Sequence, residues 1–521
     1  MLRSSGPPLA LDCGPMPNAV TAFLDDTVGG GAADRPAVVT PAGATTYRQL
    51  LGLVGRCGSM LRGLGLEPEQ RVALLLPDGV DWATTFFGAL RIGAVAVPLN
   101  TRLGPAQWVA LLRDSRARVL VADATLLTEL RPALTDLPYL RAVIATGSDA
   151  GTLDALLAAA APECPPEPLS GDDVAFWLYT SGTTGGAKAA VHLHRDLLAC
   201  RHYGLDVLHA SDEDRTLATS RLFFAYALGN ALLIPFYVGA TTWLDPAWPE
   251  PQSVLQAVRT FQPTLFFSVP TFYGRLLRAN LPPDSFRSVR ACVSAGERLP
   301  IELYEAWRKR FGVEMLDGLG ASETVFMVLS NRPGKSRAGS AGQPVPGTEV
   351  RLLDAEARPV ADGEPGVLHV RTPSASPGYW NRLDLSRRVF LGEWFRTGDA
   401  MTRDADGFYY HAGRDDELFK VAGQWVAPSV VEAALLAHPE VAEAGVVGAP
   451  AEAGLLKPVA FVVARGGSEP EALAQALDAH LAAVLPSHQR PRRIRVVDEL
   501  PRTVTGKLQR YVLREWAERT L

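Results

Sequence analysis

Short apolar runs separated by amphipathic stretches set the rhythm of the first part of the chain. RVALLLP at 71–77, AVAVPLN at 94–100 and ARVLVAD at 117–123 are rich in Val, Ala and Leu. Between the first two lies WATTFFGALRIG, whose apolar spacing suits a helix packed on a sheet. Strand, helix and strand at this pitch predict parallel α/β architecture. The stretch AAAAPECPPEPLSG at 158–171 reads as a Pro-rich surface connector, a loop inside a domain. The pattern changes near 412–418. Before it, DADGFYYHAG alternates and turns like a hairpin, and after it DDELFK opens a new series. That series predicts a helix (SVVEAALLAHP), two strands (VAEAGVVGAP and VAFVVARGG), a helix (EALAQALDAHLAAVL) and a strand (RIRVVDEL). The expected organisation is a large N-terminal α/β body, residues 1–415, and a small mobile α+β C-terminal domain, residues 416–521. No fixed-period repeat is present.

Composition narrows the function classes without naming one. The 521 residues are enough for roughly two to four domains. Hydrophobic residues make up 47% and charged residues 21%, which excludes disorder, a collagen-like repeat and a disulfide scaffold. With 51 Lys and Arg against 56 Asp and Glu, the net charge of −5 argues against nucleic-acid binding through bulk positive charge. Cys13, Cys57, Cys164, Cys200 and Cys292 lie far apart, and no pair has metal-ligand or redox spacing. No window approaches the ~18 uninterrupted apolar residues of a membrane-spanning helix. The N-terminal MLRSSGPPLALDCG makes a poor signal peptide, with two prolines and no sustained apolar core. The expectation is a cytoplasmic protein with neither a nucleic-acid nor a membrane partner.

Candidate chemistry is concentrated in YTSGTTGGAKAAVHLH, from Tyr179 to His194. Gly182, Gly185 and Gly186 alternate with the hydroxyls of Thr180, Ser181, Thr183 and Thr184, and Lys188 follows. Glycine lets the backbone approach a ligand, and successive N–H groups then form an anion-binding concavity. Lys188 adds a point charge suited to phosphate. The G-x-x-x-x-G-K-[ST] spacing of a Walker A loop is absent. Local composition alone also fits a plain Gly/Ser/Thr turn.

TSGTTGGAK resembles the phosphate loop of the adenylate-forming superfamily, which includes acyl-CoA synthetases, adenylation domains and luciferases. The resemblance continues in order through SAGE at 294–297, DGLGASE at 317–323, WFRTGD at 394–399, GRDDELFKVAG at 413–423 and PRTVTGK at 501–507. Six spaced motifs in order are far more specific than any one of them. FFAYALGN at 223–230 and ASETVFMVLSNRPG at 321–334 look most like benzoate-CoA ligases and related aryl-CoA ligases.

The resemblance implies ATP, Mg²⁺ and coenzyme A as reaction partners and a set of site residues. Thr180, Ser181, Gly182, Thr183, Thr184, Gly185 and Lys188 would handle the pyrophosphate end of ATP, and Thr184 and Glu323 would hold Mg²⁺. Gly296, Glu297, Asp317, Gly318 and Leu319, followed by Ser322, would line the adenine pocket and metal turn, and Asp399 with Arg414 would bind the ribose. Lys507 would bridge carboxylate and phosphate oxygens as the catalytic lysine of adenylation. Rotation about a hinge acid, Asp416, would then withdraw Lys507 and present the loop around Lys420, a second catalytic lysine, and Gly423, beside the CoA tunnel, for attack of the CoA thiol on the acyl-adenylate. The acyl pocket would comprise Tyr226, Ala227, Phe272, Gly320, Phe326 and Met327. Arg490, Arg492, Arg493 and Arg495 suit the phosphates of CoA. Bland alternatives stand beside these roles: a surface ion pair for Asp399 and Arg414, a turn glycine at 423, a solvated strand edge for the arginines, plain core for the aromatic wall.

The chain also departs from the family pattern. Ala187-Lys188-Ala189 replaces Pro-Lys-Gly, Ser322 replaces Thr, and Val430 stands where Glu is usual while Glu432 is retained. Where benzoate-type enzymes often carry His and Ile, this chain has Phe326 and Met327, which removes a polar group and adds flexible apolar surface. The expected activity is an ATP-dependent acyl-CoA ligase acting on an aromatic or bulky cyclic carboxylic acid. Rival expectations are loading of a carrier protein, thioester formation from a preformed acyl-adenylate, and a silent adenylate-binding homologue. A homodimer is compatible with all of them.

Overall fold

The computed structural model describes residues 18–147, 149–181, 187–415, 417, 419–421, 424–450, 456–466, 469–502 and 508–519. Contacts sort the chain into two units, Met1–Val350 with Val370–Phe395 and Arg351–His369 with Arg396–Leu521.

Two sheets organise the larger unit. One has six strands in the spatial order Ala142–Ala145, Val119–Ala122, Arg71–Leu75, Val95–Pro98, Val174–Ser181, Ala187–Leu193. Its first five strands are parallel and the last is antiparallel. The apolar runs near 71, 94 and 117 thus form adjacent strands, buried along nearly their whole length as expected where helices cover both faces. WATTFFGALR lies in the helix Val80–Arg91, where Trp82, Phe86, Phe87 and Leu90 are fully buried. Each such side chain contributes roughly 2 kcal/mol through removal from water.

The second sheet runs Gln343–Pro344, Met327–Ser330, Met315–Gly320, Ala291–Ser294, Leu265–Ser268, Arg215–Ala218, Thr241–Trp243, Pro36–Thr40, Gly43–Thr46. Its central strands are parallel, and Met315–Gly320 pairs antiparallel with Met327–Ser330 across the turn that carries Glu323. This sheet separates two cores. Leu265, Phe267, Val293 and Leu316 face the large core shared with the helix Val80–Arg91. Phe266, Tyr273, Cys292 and Trp307 face an outer one. The alternation follows from the two-residue period of a strand. The connector 158–171 is largely exposed but anchored midway: Cys164 is buried, and its carbonyl accepts from Arg91 Nε.

The strand Trp394–Arg403, which belongs to the smaller unit from Arg396 on, and Tyr409–Arg414 form the hairpin expected from DADGFYYHAG. A three-stranded sheet follows, Val441–Pro450 antiparallel to Leu456–Ala464 and Arg493–Val496 parallel to it. Helices Pro428–Leu436 and Pro470–Val484 close its core around Val431, Leu435, Val446, Val462 and Leu477. The helix Arg510–Glu518 packs its Leu513 and Ala517 against Phe461 and Leu500. Ser429 Oγ donates to Ala412 O, joining the hairpin to this body. The expected hinge residue, Asp416, lies outside the described residues. Among the described residues, no helix is long and apolar enough to cross a membrane.

Candidate active site

The Gly/Thr-rich segment joins two antiparallel strands. Thr180 pairs with Lys188 and Ser181 with Ala187, so residues 182–186 connect the ends of a hairpin. Gly182, Thr183, Thr184, Gly185 and Gly186 themselves lie outside the described residues, and the Ser181 side chain is not described. Lys188 leaves the second strand close to that connection. Its Nζ donates to Glu323 Oε1 at 3.0 Å and to Tyr379 Oη at 2.7 Å, and lies 4.2 Å from the centre of the tyrosine ring. Tyr379 Oη in turn donates to Glu323 Oε1 at 2.6 Å. Lys188, Glu323 and Tyr379 thus converge from three distant segments, and Glu323 is only 7% exposed.

The turn bearing Glu323 is held from two sides. His192, on the same strand as Lys188, places Nε2 2.8 Å from Ser322 O, while its Nδ1 lies 3.1 Å from Asp196 Oδ2. His192 and Asp196 are both buried, and His192 stacks on Phe176. Burial raises the Asp196 carboxyl, opposed by its contact with His192. On the other side Ser376 N donates to Glu323 O, and Ser374 Oγ donates to Thr324 O. Two residues beyond Glu323, Val325 has φ +58°, a conformation that a β-branched residue adopts only when its surroundings impose it. His194 directly follows the lysine strand, and its Nδ1 accepts from Ala19 N; burial lowers this imidazole to about 4.

The expected adenine residues cluster at the ends of the central strands. Gly296 adopts φ +85°, and Glu297 Oε2 accepts from Thr271 N and Oγ1 at 3.0 and 2.6 Å. Asp317 pairs with Ser294 across parallel strands, while Leu319 pairs with Leu329. Among the described residues Asp317 Oδ1 is buried without a hydrogen-bond partner. Burial pushes its carboxyl well above the usual carboxylate range, against the Gly318 N–H. Gly318 and Gly320 both back onto the neighbouring strand, with Leu329 O and Phe326 O each 2.9 Å from where a Cβ would sit.

Of the expected acyl wall, Tyr226, Ala227, Phe326 and Met327 belong to one cluster. Tyr226 Oη lies 2.8 Å from Val293 O and 3.2 Å from Ser268 O, so its hydroxyl is committed to backbone and its ring forms a surface. Gly229 brings the following helix against Phe326: a Cβ there would stand 3.0 Å from the ring. Phe272 is not gathered with this group. It packs in the outer core with Tyr273 and Trp307, and Arg275 lies over its ring.

In the smaller unit, Asp399 and Arg414 face each other across the hairpin. Asp399 Oδ1 accepts from Arg414 Nη1 at 2.9 Å and lies 3.4 Å from His411 Nε2. Burial works to raise the Asp399 carboxyl, but the His411 bond and the Arg414 charge outweigh it and hold it below the usual range. Gly398 is required here, because its φ is +76° and a Cβ would come 2.5 Å from Arg414 Nη2. A bulge leaves Ala412 unpaired between Gly413 and His411 and thereby turns His411 to the face of Arg414.

Lys507, Gly423 and Asp416 lie outside the described residues; Lys420 pairs with Trp425 through its backbone, but its side chain is not described. The basic cluster divides. Arg490 caps a helix end through Leu485 O and Ala482 O, and Arg495 donates to Trp516 O, while Arg492 is tied by its backbone N to Pro458 O. Tyr379, His411, His192 and Thr271 were not singled out in the sequence. Parity along YYHAGR assigns His411 to the other face, and Tyr379 follows Pro-Gly in SASPGYW with no local signature of chemistry.

Family comparison agrees with the order of these motifs. A model described as AMP-binding enzyme matches residues 25–380, and one described as AMP-binding enzyme C-terminal domain matches residues 430–507. The chain is 42% identical over 508 residues to a 4-hydroxybenzoate–CoA/benzoate–CoA ligase of Rhodopseudomonas palustris, spanning 96% of this chain and 94% of that protein. It is 41% identical over 500 residues to a benzoate–CoA ligase of Thauera aromatica, spanning 94% and 95%. Its fold superposes on that of an anthranilate CoA ligase solved with anthranoyl-AMP, at a TM-score of 0.90 and 37% identity, covering 98% of this chain and 99% of the other.

Proposed function

The chain belongs to the AMP-binding enzyme family, and from that premise we propose that it joins an aromatic carboxylic acid to coenzyme A through an acyl-AMP. The supporting observation is the meeting of Lys188 and Glu323, 135 residues apart in sequence, at the mouth of the Gly/Thr-rich hairpin.

In the first half-reaction a carboxylate oxygen of the acid attacks the α-phosphorus of ATP. The acyl O–P bond forms, the bond to the bridging oxygen breaks, and pyrophosphate leaves. Anions must be brought together and held in line, which requires fixed positive charge and N–H donors. Lys188 and the loop 182–186 supply these at the pyrophosphate end, and Lys507 at the reacting oxygens. Among the described residues no cluster of three or more His, Cys, Asp or Glu side chains makes an all-protein metal cage. Mg²⁺ does not need one, since it takes one or two carboxylates together with phosphate oxygens and water. Glu323 fits that requirement, with Thr184 as its hydroxyl partner. Bound there, the ion neutralises phosphate charge.

The unpartnered Asp317 Oδ1 suits the exocyclic amino group of adenine, next to Gly296, Glu297, Gly318 and Leu319. Asp399, kept ionised by Arg414 and His411, accepts from the ribose hydroxyls. Tyr226, Ala227, Gly320, Phe326 and Met327 offer an apolar wall to an aromatic ring.

In the second half-reaction the CoA sulfur attacks the acyl carbonyl, the C–O bond to AMP breaks, and the thiol proton passes to water. The reacting thiol belongs to the cofactor. Burial pushes Cys57 and Cys292 up to about 12, which leaves them protonated and inert. Rotation at Asp416 presents Lys420 and Gly423 for this step, with Arg492 near the CoA phosphates.

The purified protein, incubated with ATP, Mg²⁺, CoA and a panel of benzoic, hydroxybenzoic, aminobenzoic and alicyclic acids, is expected to form acyl-AMP and then acyl-CoA from an aromatic acid. Mass spectrometry separates the two products. Acyl-CoA made only from supplied acyl-AMP would overturn the adenylation half, and transfer only to a phosphopantetheinyl carrier protein would overturn the acceptor.

A further inference from the structure

We propose that Tyr379 is a positioning residue of adenylation, whose hydroxyl fixes one oxygen of Glu323 and the ammonium of Lys188 so that the other carboxylate oxygen is presented to the metal. This rests on the roles proposed above for Lys188 and Glu323.

Both described hydrogen bonds to the Glu323 carboxylate go to Oε1, one from Lys188 and one from Tyr379. Oε2 accepts none from the described residues, so it is the oxygen available to a cation. A carboxylate gripped by one oxygen loses its rotational freedom before any ligand arrives, and that cost is not repeated on binding. Lys188 is fixed by the same hydroxyl at 2.7 Å. The geometry specifies a phenol here. Its oxygen accepts from an ammonium while donating to a carboxylate, which neither Phe nor a purely donating side chain can do.

The backbone shows the same construction. Tyr379 forms a bridge with Ala190, Trp380 N donates to Ala189 O, and Val191 N donates to Gly378 O. The segment 374–380 is therefore bonded to the strand that carries Lys188. Through Ser374 Oγ and Ser376 N it is also bonded to the turn that carries Glu323. The Tyr379 N–H is bonded to Ser386 Oγ, which orients the residue from behind. One short strap thus sets the distance between a phosphate-facing lysine and a metal-facing glutamate.

The test is Tyr379→Phe, which deletes one oxygen and keeps the ring, with Lys188→Ala and Glu323→Gln made in parallel. Equilibrium binding of MgATP in the absence of acid is expected to weaken about ten- to a hundredfold in Tyr379→Phe, the loss typical of a hydrogen bond to a charged group. Binding of AMP, which lacks the outer phosphates, is expected to stay within about twofold of wild type, as is thioester formation from synthetic acyl-AMP and CoA. The Mg²⁺ concentration giving half-maximal adenylation is expected to rise. Unchanged MgATP binding, or an equal loss for MgATP and AMP, would overturn the proposal, the second result indicating a merely structural side chain. If Lys188→Ala and Glu323→Gln also leave MgATP binding intact, the failure lies in the roles given to those residues. If they weaken it and Tyr379→Phe does not, the failure is that of Tyr379 alone.

Discussion

The corner formed by Lys188, Glu323 and Tyr379 and the clamp formed by Asp399, Arg414 and His411 make the same kind of contact by opposite means. Each places a carboxylate against a cation and a third polar group. The clamp draws all three residues from one hairpin of about twenty residues, so strand register alone brings Asp399 opposite Arg414. The corner draws its members from positions up to 191 residues apart, and no register connects them directly. Local assembly makes the clamp depend on hairpin geometry. Long-range assembly makes the corner depend on the packing of the whole larger unit.

The largest expected effect is at the corner. Glu323→Gln should lower kcat/KM for adenylation about 100- to 1000-fold, the scale of losing a charged group that supports the transition state. In the double variant with Lys188→Ala, a double-mutant cycle should show non-additivity, because the two side chains share one bond. Additive losses would mean that the two act apart and would break the comparison.

Acid should separate the two sites next. His194, directly after the lysine strand, is buried with its pKa lowered to about 4 from an unfolded value of 6.5. The unfolded chain therefore binds the extra proton first, and stability falls as pH drops from 6.5 towards 4. At pH 4.5 this amounts to about 2 to 3 kcal/mol. Asp399 has the opposite origin: its folded pKa lies below the unfolded value of 3.8, so its contribution is lost only below that pH. Denaturant melts of wild type and His194→Gln at pH 7 and 4.5 check this. The variant should lose less stability between them, and equal losses would remove His194 from the account.

At the clamp, Asp399→Asn should weaken MgATP and AMP alike, by about tenfold, since both carry the ribose and only a charge-assisted bond is reduced. This parallel loss is the counterpart of the selective loss expected at the corner, and isothermal titration with both nucleotides distinguishes them. The smallest change is Gly398→Ala. A Cβ at φ +76° facing Arg414 should cost about 1 kcal/mol and displace the guanidinium, raising the apparent Kd for AMP a few-fold. Wild-type binding by this variant would show that Arg414 has room to move.

Legibility in the sequence followed the same division. The apolar runs at 71, 94 and 117 announced parallel strands because all of them are buried on both faces, and a run of Val, Ala and Leu has few other stable solutions. The helix and strand order from 428 to 496 was legible through the change of apolar period between its helices and its partly buried strands. Phe272 shows the limit: the resemblance groups it with Tyr226 in an acyl pocket, while its ring packs in the outer core with Arg275 lying over it, a placement that no local spacing reveals. His411 was hidden by one unpaired residue. A bulge reverses strand parity without leaving a mark that alternation can reveal.

By itself the sequence determined the fold class, the ordered motifs of an adenylate-forming enzyme and the identity of the charged residues at hand. Each of these is carried by residue type and short spacing. Tertiary structure alone decided that Tyr379 meets Lys188 and Glu323, that His192 reaches the carbonyl of Ser322, and that Tyr226 spends its hydroxyl on backbone. The physical reason is that such partners are set by strand order and by close packing of a buried interior. There a single shared hydroxyl satisfies groups that chain proximity never brings together.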